Sequence, residues 1–113
     1  MTAAMRAKWS RKRTPETRRI EQVLREAGFE HVDAYRYNSA SIRVRVIDSK
    51  FERVAMDKRD GMVDPALSQL PEEVQADILM LLTFAPSELE PNGKLSRYQI
   101  QNVEFDDPSP SAL

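Results

Sequence analysis

Cysteine is absent from this chain of 113 residues. That excludes disulfides, thiolate metal sites and cysteine nucleophiles, and it suits a reducing compartment. Glycine is scarce, with Gly28, Gly61 and Gly93 the whole complement. No two stand close enough to build a phosphate-cradling loop or a dinucleotide fingerprint. Histidine is reduced to His31, beside Glu30 and Asp33. Neither acid lies at a spacing that forces convergence on a metal, so an ordinary surface histidine at a strand start is expected. No apolar run approaches the roughly 20 residues that span a bilayer. The basic N-terminus is not followed by an apolar segment of about 7–15 residues, as a secretory leader would be. A cytoplasmic location without membrane association is the expectation. No nucleophile elbow or metalloprotease helix occurs. The chain is therefore expected to be non-enzymatic and to carry no cofactor.

Hydrophobic residues make up 41% and charged residues 31% of the sequence, the proportions of one ordinary globular domain. The net charge of −1 conceals a gradient. Arg6, Lys8, Arg11, Lys12, Arg13, Arg18 and Arg19 are opposed only by Glu16 over the first 19 positions, and acids prevail afterwards. Such an arm either touches phosphate or is a solvated terminus, and both readings stay open.

Residues 1–13 are expected to form a flexible basic arm, with Trp9 its one docking handle. Thr14-Pro15-Glu16 then reads as a helix start: hydroxyl cap, proline at the first position, and carboxylate near the positive end of the dipole. Ile20, Val23, Leu24 and Ala27 follow at helical spacing, and Gly28 ends the helix, predicted over about 15–27. A weak strand over 32–37 and the turn Asn38-Ser39-Ala40 precede the clearest strand, 41–47. There Ile42, Val44 and Val46 face the core, while Arg43 and Arg45 are expected on a basic, wet face. Phe51 and Val54 are expected in the core, followed by a helical region weakened by Gly61. Asp64-Pro65 reads as a fresh helix start burying Leu67 and Leu70, and Pro71-Glu72-Glu73 as another, leading through Val74. Ile78 to Phe84 is apolar on both faces, as a central strand covered on both sides would be, and Pro86 ends it. Residues 90–113 read as a proline-containing tail. Its Tyr98, Ile100, Val103 and Phe105 are too apolar for full solvation and are expected to pack on the domain or on a dimer mate.

The order helix, strand, strand, helix, helix, strand carries a set of spaced residues. Asp48-Ser49-Lys50-Phe51 closes the second strand, Arg59, Met62-Val63 and Leu67 follow, and the last strand ends Thr83-Phe84-Ala85-Pro86-Ser87-Glu88-Leu89. Over residues 14–89 this resembles a divergent member of the BolA-like family, whose domain is related to the class II KH fold. The resemblance implies an α+β domain with a three-stranded mixed sheet covered by helices. It also implies a role as an adaptor that binds another protein, glutaredoxin-like in many family members, and the residues matched to that role are Phe51, Arg53, Arg59, Asp60 and Met62. The chain departs from the pattern in four places. Arg53 stands where the family carries glycine, Asp60 where it carries its central histidine, Gly61 where it carries the arginine that follows, and Asp77 lies near its second histidine. Aspartates are hard oxygen donors ill suited to a soft iron–sulfur site, so the usual histidine ligands are missing.

Other readings compete. Arg11, Lys12, Arg13, Arg43 and Arg45 with Tyr37, or with Tyr35, suit a KH-like nucleic-acid surface of cations and stacking rings. Glu52, Asp57, Asp60 and Asp64 offset the cations around Lys50, Arg53, Lys58 and Arg59. A homodimer sealed by the apolar tail is the third reading. Asp60 and Asp77 would hold a cation if they converged, though no third ligand is evident and two separately paired surface acids are the plainer expectation.

Overall fold

A computed structural model describes residues 12–89. The arm before residue 12, including Arg11, and the tail 90–113 lie outside the described residues. The elements run α1 (Pro15–Glu26), β1 (His31–Asn38), β2 (Ser41–Ile47), a 3-10 turn at Ser49–Phe51, α2 (Met56–Leu67), α3 (Glu72–Asp77), β3 (Ile78–Phe84) and a 3-10 turn at Pro86–Leu89. The three strands form one sheet in the order β1-β2-β3, with β1 antiparallel and β3 parallel to β2. The α+β class and the mixed sheet are as the sequence implies.

Local chemistry explains the boundaries. Thr14 caps α1: its hydroxyl accepts from the Thr17 amide while the Thr17 hydroxyl accepts from the Thr14 amide, a reciprocal box with threonine in the place usual for glutamate. Gly28 follows the end of α1 at φ +99°, a left-handed conformation that only glycine adopts without strain. The clean alternation of β2 gives it the bounds expected from sequence.

Ile20 and Leu24 of α1, and Val63, Ala66 and Leu67 of α2, bury their side chains against Val32, Ala34, Ile42, Val44 and Val46 of the sheet, with Phe51 and Leu70 completing the cluster. Val74 of α3 packs at its margin. All three helices therefore lie on one face of the sheet.

Three expectations are corrected. Asp64-Pro65 does not begin a helix: α2 runs unbroken to Leu67 with Pro65 inside its last turn. Proline there leaves the Gly61 carbonyl without its helical donor, and Gly61 is exposed, where that loss is least costly. The apolar strand β3 is an edge strand rather than the central one; β2 holds the centre. Arg45 does not stand on a wet face, being only 4% exposed and paired with Asp33. Phe51 is buried as expected, whereas Val54 is half-buried.

Candidate functional site

The segment from Asp48 to Arg59 is buried at Asp48, Phe51 and Arg59 and largely exposed from Arg53 to Lys58. Asp48 is fully buried at its start. Its carboxylate accepts from the Lys50 amide at 2.7 Å and the Glu30 amide at 2.8 Å, and it pairs with Lys50 Nζ at 3.3 Å. These bonds set the 3-10 turn that drives Phe51 into the core, where its ring stacks on Phe29. The far anchor is Arg59, only 3% exposed. Its guanidinium donates to the Val54 carbonyl at 2.9 Å and the Thr83 carbonyl at 3.1 Å, and makes two parallel bonds of 2.8 Å to the Glu88 carboxylate. Its guanidinium carbon lies 5.6 Å from the centre of the Phe51 ring. The hydrogen bonds from Arg59 hold the Glu88 carboxyl below its ordinary pKa, and the same bonds raise that of Arg59. Glu88 also accepts from the Ala85 amide, so one residue ties α2, the end of β3 and the turn after it.

Between the anchors the chain stands out from the domain. Arg53 adopts φ +64°, a left-handed conformation costly for a residue bearing a Cβ. Met56 is 57% exposed and, with Tyr37 and Leu79, is one of the large hydrophobic side chains exposed among the described residues. Asp57, Lys58 and Asp60 are exposed around it. Of the residues matched to partner binding, Arg53 and Asp60 are therefore at the surface and Met62 is half-buried against the core, while Phe51 and Arg59 are interior anchors. The sequence pattern did not single out Met56, and it contained Glu88 only within the run that ends the last strand, with no role assigned. Met56 carries no spacing signal, and Glu88 becomes significant only when the chain returns to α2.

The residues of the nucleic-acid reading are divided. Arg13 reaches around the β1 edge to Glu21 at 3.0 Å and Asp33 at 3.3 Å, and Arg45 pairs with the other oxygen of Asp33 at 3.3 Å. Burial lowers the Arg45 pKa against the opposing pull of Asp33. Arg13 and Arg45 are thus engaged in a buried charge network. Arg43 lies over the Tyr37 ring at 3.8 Å and donates to the Tyr35 hydroxyl; Lys12 stands 6.0 Å from the same ring. Tyr35 is fully buried, and Tyr37 is 45% exposed.

The same network seals the free edge of β1. Glu21 accepts from the Ala34 amide at 2.9 Å and Arg25 donates to the Val32 carbonyl at 3.3 Å, so α1 satisfies outward-facing ladder groups that would otherwise recruit another strand. Burial raises the Glu21 carboxyl pKa, offset in part by the Ala34 amide and by Arg13 and Arg25. Neither Glu21 nor Asp33 is distinguishable in sequence from a solvated acid.

Asp77 pairs with Arg36 at 3.1 Å, and Asp60 is exposed on α2. Among the described residues, no group of three His, Cys, Asp or Glu side chains is placed to hold a metal ion. His31 is half-buried at the start of β1. An open groove of about 450 Å³ runs beside β3, lined by Asp64, Leu67, Ser68, Gln75, Ile78 and Leu81. Among the described residues no helix is long and apolar enough to cross a membrane. No protein-family model and no curated protein sequence matches the chain.

Proposed function

We propose that the chain is a non-enzymatic adaptor of BolA-like type that binds a partner protein through the exposed side chains of segment 53–60, Arg53, Met56, Asp57, Lys58 and Asp60. The observation that carries this reading is the doubly anchored loop, in which Arg53 is held left-handed and Met56 is presented to solvent. Strained backbone that persists between firm anchors is characteristic of binding and switch regions. A pre-ordered loop also loses little conformational entropy on docking.

Four positions of the pattern behind the resemblance have a structural role that supports the reading. Asp48 caps the turn, Phe51 fills the core, and Val63 and Leu67 bury against the sheet. Position 53, glycine in the family pattern, is the one non-glycine site of positive φ among the described residues. Aspartate at 60 removes a soft ligand, so the adaptor reading does not include a shared iron–sulfur cluster.

The test is affinity capture from native lysate with wild type, Arg53→Glu and Met56→Asp, each with and without nuclease. The reading expects one stoichiometric protein, retained after nuclease and lost with either substitution. Absence of a stoichiometric protein, or capture indifferent to both substitutions, overturns it.

The exposed Tyr37 flanked by Arg43 and Lys12 favours nucleic acid as a second reading. That reading requires affinity to fall steeply with salt as phosphate contacts release counterions. A flat salt profile removes it.

A further inference from the structure

Much of the sheet face opposite the helices is buried without belonging to the helix-side core, and His31, Arg43, Met80 and Leu82 on it are half-buried. Strand register sets three rows across it: His31–Ile47–Phe84, Asp33–Arg45–Leu82 and Tyr35–Arg43–Met80. Tyr35, Ile47 and Phe84 are 0%, 1% and 3% exposed, and Asp33 and Arg45 are 0% and 4% exposed. None of these residues is part of the apolar cluster that packs against α1 and α2. A sheet covered by helices on one side alone would leave this face half in water, with polar residues alternating outward. Here the outward positions of β3 are Met80, Leu82 and Phe84, all apolar. Arg13 and Lys12 meet the β1 margin at Asp33 and Tyr37. Ile47 and Phe84 lie in the next row, on the far side of Arg45 from Arg43.

We propose that this second face is the docking surface for the chain's own C-terminal segment 97–105, which closes the sheet from the side opposite the helices. The sequence of that segment has the required form. Tyr98 and Ile100 alternate with Gln99 and Gln101, and Val103 and Phe105 alternate with Glu104 after a one-residue phase change at Asn102. This is the pattern of an extended segment with one apolar side and a bulge. Nine extended residues span roughly 30 Å, enough to cross a sheet whose strands of seven or eight residues are roughly 25 Å long. Pro91 and Asn92-Gly93, just beyond the end of β3, are suited to turning the chain back over the sheet. Charge selects this end of the chain over the other. The face carries Arg43 and Arg45 against Asp33, an excess of positive charge that suits Glu104, Asp106 and Asp107 better than Arg6, Lys8 and Arg11 of the N-terminal arm. The apolar side chains of the tail and the apolar outward face of β3 then have one common explanation.

Because the chain contains no cysteine, a single nitroxide can be placed by Gln101→Cys in the otherwise intact, isotope-labelled protein. The expected result is severalfold loss of amide signal intensity at Tyr35, Arg43, Arg45 and Leu82, with the amides of Leu24 and Ala66 on the helix side far less affected. Adding Tyr98→Asp and Phe105→Asp to the same labelled chain should restore the sheet signals, because charged side chains no longer seat in the apolar rows. A mixture of nitroxide-bearing unlabelled protein with isotope-labelled protein lacking the nitroxide should show no broadening. Unchanged sheet signals in the first sample overturn the proposal. Broadening that appears only in the mixture overturns it as well, and assigns the face to a second copy.

Discussion

Removing the Arg59 guanidinium should be among the costliest single changes outside the apolar core. Arg59→Ala strands the buried Thr83 carbonyl and the half-buried Val54 carbonyl, and it parts the two bonds to Glu88. A hydrogen bond to a charged group contributes about 1.5–3 kcal/mol, and parting a buried pair costs about 3–5 kcal/mol. The Glu88 side chain is 28% exposed and keeps the Ala85 amide, so water recovers part of that loss. The expected cost is about 3 kcal/mol, which for a domain of this size corresponds to a fall in Tm of roughly 12–24 °C. Urea unfolding of wild type, Arg59→Ala, Glu88→Ala and the double variant gives the coupling energy, expected at about 1–2 kcal/mol. The dependence on pH has a definite sign. The folded-state Glu88 pKa lies below its unfolded value, so its contribution is complete above the ordinary carboxylate range and is lost as pH falls through the depressed value. Arg59→Ala should remove that acid-side loss. A cost below about 1 kcal/mol with coupling near zero would refute the claim that this pair fastens α2 to the end of β3.

Glu21 should behave with the opposite sign. Its folded-state pKa is raised by burial, so the penalty is full above that value and is relieved as pH falls from there toward the unfolded one. Relative to Glu21→Gln, wild type should therefore gain stability as pH drops from neutrality toward the ordinary carboxylate range; a difference independent of pH would contradict the burial argument. Arg53→Gly should stabilise the domain by about 0.5–1 kcal/mol in chemical denaturation, since relief of left-handed strain exceeds the entropy cost of glycine; a loss of stability would contradict the strain. Asp48→Ala should cost about 2–3 kcal/mol, because the Lys50 and Glu30 amides lose a charged acceptor, and Asp48→Asn should recover part of it. Equal effects of the two substitutions would mean that the carboxylate is not the organising group.

The elements were legible wherever the signal is local. Alternation over Ser41–Ile47 and the apolar run Ile78–Phe84 give two strands with their observed bounds, and Thr14-Pro15 with Gly28 brackets α1. Failures arose where tertiary partners decide. Proline after an acid imitates a helix start, yet at position 65 it is tolerated in the last turn of a helix that began earlier. Arg45 alternates correctly with its neighbours, but it is Asp33 on the adjacent strand, twelve residues away, that makes its burial tolerable. The apolar character of β3 on both faces points to a central position, whereas the strand lies at the edge of the sheet. At the candidate site, Asp48, Phe51 and Arg59 were visible through spacing. The role of Glu88, present only within the final run, and that of Met56 were not, because one depends on chain return and the other on exposure.

Backbone hydrogen exchange of the protein, free and in complex with the protein it captures, tests the adaptor reading most directly. The account predicts that amides of residues 53–60 gain protection on binding while those of β1 change little. Protection confined to Tyr37, Arg43 and the basic arm, or no complex with any protein, would contradict it.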